Sequence, residues 1–188
     1  MPPGGGRILD LGGGDGTLRA PLRARGYAYV NVDLAPMGPG AVRGDAQRLP
    51  FRDGAFDVIL SGDSLEHFPD PRLAVAECKR VLRPDGRFVI WVPFLHPFHG
   101  DDLWRYTPLG LEVLLGGAGW RIASLDSPEW VASVAAQMLV ELLHRVRLDS
   151  LGDPVKRAAA WMDRRLARFQ GANLSFARAY LVVATPEG

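Results

Sequence analysis

The chain of 188 residues has one cysteine, Cys78, so it can close neither an internal disulfide nor a cysteine-rich zinc site by itself. Lysine is nearly absent as well. Lys79 and Lys156 stand alone among 22 basic residues, so arginine carries almost all the positive charge, a usage that fits GC-rich coding better than a basic binding surface. The acids number 21 and the formal net charge is +1, which argues against an electrostatic footprint for nucleic acid, and no nucleic-acid partner is expected. No uninterrupted apolar run approaches the roughly 20 residues that a bilayer requires, so stable membrane insertion is not expected either. No basic-then-apolar leader opens the chain, and a cytoplasmic location is the expectation. Internal repeats and low-complexity tracts are also missing. With 47% hydrophobic residues, the chain can bury one sizeable core, and a single domain over 1–188 is predicted.

What is present begins with Asp10-Leu11-Gly12-Gly13-Gly14-Asp15-Gly16, directly after the apolar pair Ile8-Leu9. A dinucleotide fingerprint needs glycines at its first, third and sixth positions, and counting from Gly12 the sixth is Thr17, so the nicotinamide-binding pattern fails. Asp10 falls at the carboxyl tip of the first strand, where a carboxylate would repel a pyrophosphate and welcome an ammonium group. S-adenosylmethionine has no phosphates, a cationic sulfonium and a zwitterionic tail, and glycines let the backbone approach such a ligand closely. Asp33 follows 17 positions beyond Gly16 and ends a second alternating strand, about where an acidic residue meets the two hydroxyls of a ribose.

The rest of the chain alternates strand and helix. Strands are predicted at 7–11, 27–33, 41–45, 56–60, 87–92, 120–125 and 180–184. Helices are predicted at 17–25, 71–82 and 107–115, with proline in the first turn of the latter two and glycine after each. This pattern argues a doubly wound α/β sheet. Between the sixth and last strands, Trp130, Val134, Met138, Leu142 and Val146 fall four apart, and Val155, Ala159, Met162, Leu166 and Phe169 follow a four-three repeat. Gly152-Asp153-Pro154 is expected to separate the two helices. This helical insertion, residues 127–170, is expected to cover the sheet, to serve as a substrate lid or to pair two copies in a homodimer.

The glycine loop resembles motif I of the class I S-adenosylmethionine-dependent methyltransferases, and the resemblance to their small-molecule, type 11-like branch runs from Ile8 to Ala184. It implies a Rossmann-like seven-stranded sheet of order 3-2-1-4-5-7-6, the last strand antiparallel, with helices on both faces. It also implies S-adenosylmethionine as cofactor, S-adenosylhomocysteine as product and a small molecule as substrate. Asp10, Gly12, Gly14, Gly16, Asp33 and Leu34 would line the cofactor. Gly44-Asp45-Ala46-Gln47 resembles the segment that holds adenine, Asp45 accepting from its amino group and the Ala46 amide reaching a ring nitrogen. Ser61 and Gly62 would border the methionine part.

His67 has two readings, a residue that orders the turn before Pro69-Asp70-Pro71 and a general base. Asp63, Glu66 and His67 resemble the Glu-x-x-Glu-His of metal-using relatives, but Asp63 stands where they have glutamate, and no divalent metal is expected. The segment 93–108 resembles a His-Gly-x-x-x-(Trp or Tyr)-Arg-(Tyr or Phe)-Thr pattern met near sugar and natural-product pathways. His96 or His99 would take a proton from an acceptor hydroxyl, since a free imidazole titrates near 6.5. Trp104 and Tyr106 would form a flat apolar wall, and Arg105 would pair with a substrate carboxylate or with Asp101 or Asp102. The absence of an Asn-Pro-Pro-aromatic motif after the fourth strand favours a hydroxyl acceptor, hence O-methylation. A non-catalytic cofactor-binding subunit and a methyltransferase of RNA or protein are the alternatives. With no helices ahead of residue 7, closure over the cofactor would fall to the loop 94–107, the insertion or a second subunit.

Overall fold

The computed structural model describes residues 5–35, 38–98, 100–128, 131–170 and 177–187, apart from the side chains of 166–170. Seven strands form one sheet: β1 (Arg7–Leu11), β2 (Ala28–Asp33), β3 (Val42–Arg43), β4 (Phe56–Gly62), β5 (Leu82–Pro93), β6 (Trp120–Asp126) and β7 (Ala179–Pro186). Their order is β3-β2-β1-β4-β5-β7-β6. β1 to β5 run parallel, and β7 is antiparallel to both β5 and β6. This is the expected sheet of a class I methyltransferase.

Alternation along the central strands places the helices. Leu9 and Ile59 join a large core with Ala74, Val75 and Cys78 of α2 (Pro71–Val81) and Leu111 and Leu115 of α3 (Pro108–Gly116). Ile8 and Val58 join a smaller core on the opposite face, where they meet Leu22 of α1 (Arg19–Arg23). Strands buried on both faces explain why they read as nearly continuous apolar runs. Asp70 caps α2 by accepting from the Arg72 and Leu73 amides, and Thr107 caps α3 by accepting from the Gly110 amide. Prolines at the first turn of both helices cost nothing, since those amides have no helical partner.

Three boundaries differ from the expectation. The third strand shrinks to two residues at the sheet edge, and the first helix to five. β5 begins at Leu82 rather than Arg87, because Leu82 pairs with Phe56 before the register jumps to Val58 opposite Arg87. Pro84-Asp85-Gly86 is thus an outward bulge within the strand. In the insertion, α4 spans Val131–Arg145 and α5 spans Gly152–Gln170. Gly152-Asp153-Pro154 starts α5 instead of separating the helices, as proline is tolerated in a first turn. The break lies at Arg147, whose φ of 59° leaves the helical region.

The apolar stripe predicted for the first insertion helix faces outward. Met138, Leu142 and Val146 are all more than half exposed, and Ala136 is the buried residue of that helix among those described. Trp130 lies outside the described residues. On α5, Ala159 is buried and Met162 is exposed, so the two helices meet through small residues.

Candidate functional site

A cavity of about 360 Å³ opens at the carboxyl ends of β1, β2 and β4, the place where open α/β sheets bind their ligands. Its volume falls within the roughly 300–1,000 Å³ usual for small-molecule pockets. Gly12, Asp33, Leu34, Asp45, Ala46 and His67 line it, so residues predicted from four separate segments come together on one surface. Gln47, Asp63, Ser64, Phe68 and Pro69 line it as well.

The glycine loop is held from below. The Gly12 amide donates to the Val32 carbonyl at 2.8 Å, continuing the β1–β2 pairing into the loop. Gly12 has φ +69°, and a Cβ there would stand 2.6 Å from the Ser64 hydroxyl oxygen, so any side chain would displace the cavity wall. The Gly14 amide donates to Asp33 Oδ2 at 3.0 Å, and its carbonyl accepts from Asn31 Nδ2 at 2.9 Å. Asp33 Oδ1 accepts from the Ala35 amide at 2.9 Å, which fixes the carboxylate on the cavity wall. Carboxylate oxygens have further lone pairs for ligand hydroxyls. Gly16 closes the loop's tight turn by donating to the Gly13 carbonyl, and neither Gly14 nor Gly16 is part of the cavity lining.

Asp10 occupies a different place from the one its position at the strand tip implies. It is buried beneath the loop, and its Oδ2 accepts a 2.5 Å hydrogen bond from the Tyr29 hydroxyl. Burial raises the Asp10 pKa above the ordinary carboxylate range, opposed by that hydrogen bond. Burial also raises the Tyr29 phenol well above its usual value, so the hydroxyl keeps its proton and donates it to Asp10. The carboxylate thus braces β1 against β2 and sits where a Cβ at Gly13 would collide, 2.6 Å away.

Another part of the cavity lining is formed by residues 44–47. Asp45 Oδ1 accepts from the Gln47 amide at 2.8 Å, and Gln47 Oε1 accepts from the Asp70 amide at 2.9 Å. Glu77 and Arg80 of α2 lock this segment. Glu77 accepts from the Leu49 amide at 2.8 Å, while Arg80 donates to the Phe51 and Leu49 carbonyls and to Asp53. Neither residue carries a motif. The signal in the sequence is their i, i+3 spacing on one face of a helix, which generally reads as surface charge.

After β4 the chain turns sharply, with Asp63 at φ +46°, a strained conformation of the kind that gathers at ligand sites. Ser61 is buried and Gly62 ends the strand, and neither lines the cavity. His67 does line it, with a side chain 29% exposed. Its Nε2 lies 3.9 Å from Glu66 Oε1 and its Nδ1 3.8 Å from Asp102 Oδ1. Glu66 is fully buried, and burial raises its pKa to about 7. Ligand atoms of Glu66, His67 and Asp102 lie within 4.8 Å of one another, a grouping in which Asp102 takes the place that the sequence pattern offered to Asp63.

The loop 94–107 is fastened to this turn. The Leu103 and Trp104 amides donate to the Glu66 carbonyl, and Trp104 Nε1 donates to the Phe68 carbonyl at 2.8 Å. Arg105 pairs with Asp102 at 2.5 Å and stacks over Phe98, so the intraloop partner among the three proposed for it is Asp102. Tyr106 is buried, donates to the Leu65 carbonyl at 3.1 Å, and has its phenol pKa raised by burial. Trp104 and Tyr106 line a separate surface depression beside α3, which shares only Pro69 with the main cavity. His96 lies away from His67, lining a further cavity under the insertion. His99 lies outside the described residues.

Comparison with known proteins agrees with this geometry. A family model described as "Methyltransferase domain" matches residues 9–90, which carry every lining residue of the cavity. An uncharacterized methyltransferase of Mycobacterium sp. (strain JLS) is 41% identical over 127 residues, 62% of this chain and 48% of its own length. The chain therefore spans about half the length of the curated relatives it matches. Among solved structures, the cyclase SpnF superposes with a TM-score of 0.65 at 21% identity, covering 98% of this chain and 76% of that one. The 1,6-didemethyltoxoflavin-N1-methyltransferase of Burkholderia thailandensis, with bound 1,6-didemethyltoxoflavin and S-adenosylhomocysteine, gives 0.63 at 18% identity, covering 98% and 72%. At such identities the structures speak for the fold alone. Sheet order, glycine loop and the family match over residues 9–90 together make the chain similar to the class I S-adenosylmethionine-dependent methyltransferases, whose fold it has.

Proposed function

We propose that the chain binds S-adenosylmethionine in the 360 Å³ cavity and methylates a hydroxyl of a small molecule, in a sugar or natural-product pathway. The observation that carries this reading is the convergence of Gly12, Asp33, Asp45, Ala46 and His67 on one cavity. The bound cofactor would supply a methyl group activated by its attachment to positively charged sulfur.

The residues fit such a ligand. Asp33 would accept the ribose hydroxyls with its remaining lone pairs, already oriented by the Gly14 and Ala35 amides. Asp45 and the Ala46 amide would meet the edge of the adenine, on a segment that Glu77 and Arg80 keep from shifting. Gly12 would let backbone come close to the ligand. Asp10 supports the loop through Tyr29 and favours the ligand's ammonium group through its charge.

His67 would be the general base. Its imidazole is accessible at the cavity wall, and Glu66 and Asp102 stand beside its two ring nitrogens. A carboxylate near an imidazole orients the ring and stabilises the imidazolium formed when a hydroxyl proton is taken. Alignment and exclusion of water would supply most of the remaining acceleration.

The test combines calorimetric titration with S-adenosylhomocysteine and methyl transfer to a panel of hydroxylated and amine acceptors. His67→Gln should bind S-adenosylhomocysteine as the wild type does and lower kcat by about 10²- to 10⁴-fold, the range of general-base catalysis. Undiminished turnover in that variant would remove His67 from the chemistry. Transfer to amines alone would overturn the choice of a hydroxyl.

A further inference from the structure

A second cavity of about 270 Å³ lies between the helical insertion and the ends of β5 and β7. Three segments distant in the chain give it its basic side chains: His96 just after β5, Lys156 on α5 and Arg178 just before β7. Among the described residues, no carboxylate lines it. Ser133 and Gln137 of α4 add a hydroxyl and an amide, and Ala136, Ala159 and Ala160 make the room.

This collection is not a sample of the general surface, because the whole chain is nearly neutral and Lys156 is one of its two lysines. Asp163, on the same helix as Lys156, is buried and accepts from the Ala132 and Ser133 amides at the start of α4. Arg178 is fixed by main-chain pairing, its carbonyl accepting from the Phe94 amide at 2.8 Å. With five donors, its guanidinium can serve neighbours and a ligand together. Because β7 is antiparallel to β5 and pairs Ala179 with Pro93, Arg178 stands at the same sheet edge as the main cavity.

We propose that this cavity holds an anionic group of the acceptor molecule, a carboxylate or a phosphoryl group, with Lys156 and Arg178 as its principal partners. The inference rests on the methyltransferase reading of the neighbouring cavity and names the class of acceptor: a hydroxylated small molecule that carries an anion. The volume is below the roughly 300 Å³ at which pockets enclose whole ligands, which suits a head group. Charge-assisted hydrogen bonds from lysine and arginine are the strong kind, and arginine matches two oxygens of either anion at once. His96 adds a third donor, fully so when protonated.

The experiment follows amide resonances of the full chain by two-dimensional NMR during separate titrations with inorganic phosphate, acetate and S-adenosylhomocysteine. At least one anion should give saturable shifts at Gln137, Lys156 and Ala159, and S-adenosylhomocysteine should shift Gly12, Asp33 and Ala46. Phosphate acting alone would identify a phosphoryl group, and acetate a carboxylate. Lys156→Met and Arg178→Gln should each weaken the anion by about tenfold or more, the loss of one charge-assisted bond. Both should leave S-adenosylhomocysteine binding unchanged. Absence of anion shifts at these amides, or shifts undiminished in both variants, overturns the proposal while the cofactor reading stands. Failure of S-adenosylhomocysteine to bind the wild type overturns that reading, and this one with it.

Discussion

At the scale of single residues, the cavity depends on a few positions with no room for change. Gly12→Ala places a Cβ 2.6 Å from the Ser64 hydroxyl at a positive φ, so it should destabilise the chain by about 1–3 kcal/mol, the cost of a strained backbone residue. Denaturant titration checks that figure, and calorimetry should show weaker binding of S-adenosylhomocysteine as well. Glu66 makes a second prediction. Its carboxyl titrates near 4.5 in the unfolded chain and near 7 when buried, so between these values the folded state binds the extra proton. The Glu66 contribution is therefore fully present below about 4.5 and is lost as pH rises through about 7. Urea unfolding from pH 5 to 8, with a chelator present, should show the wild type losing stability relative to Glu66→Gln. Parallel curves would contradict it. The sequence singled out Gly12, Asp33, Asp45 and Ala46 by their motif spacings, and these four residues line one cavity. It did not show that Asp10 binds Tyr29 or that Asn31 holds the Gly14 carbonyl. Such cross-strand pairs depend on register. Asn31 left one trace, a buried polar residue between Val30 and Val32 of a strand, where asparagine is depleted.

At the scale of elements, the strands were legible because burial on both faces writes long apolar runs into the sequence. The five-residue offset at the start of β5 was not, since a Pro-Asp-Gly turn reads the same in a loop and in a bulge. Periodicity also located the insertion helices, and Met138, Leu142 and Val146 share a stripe that points outward. A repeat of apolar residues gives a face, not its partner. Packing between α2 and the sheet can be tested at Trp120, which is buried, lies with its ring tilted 5.2 Å from that of Phe88 and donates to the Val75 carbonyl at 3.0 Å. Trp120→Ala should cost about 3–5 kcal/mol in chemical denaturation. Replacing residues 128–170 with a short linker tests the insertion. Turnover should fall more than S-adenosylhomocysteine binding, and equal loss of both, or unfolding, would contradict that.

At the scale of the whole molecule, two cavities share one edge of the sheet. The first is lined by the residues of the methyltransferase motif, and the second by basic residues from strand ends and insertion. Family resemblance reaches the first cavity, which lies within residues 9–90. The second is assembled from positions 96, 133–137, 156–160 and 178, too far apart for any local pattern to announce. Among the described residues, no helix is long and apolar enough to cross a membrane. Everything argued for the acceptor presupposes the cofactor. The decisive measurement is calorimetric titration of the wild type, Asp33→Asn and Asp33→Ala with S-adenosylhomocysteine. Micromolar binding by the wild type, weakened in Asp33→Asn and abolished in Asp33→Ala, is the predicted result. Equal binding by all three, or none by the wild type, would contradict the assignment of the cavity.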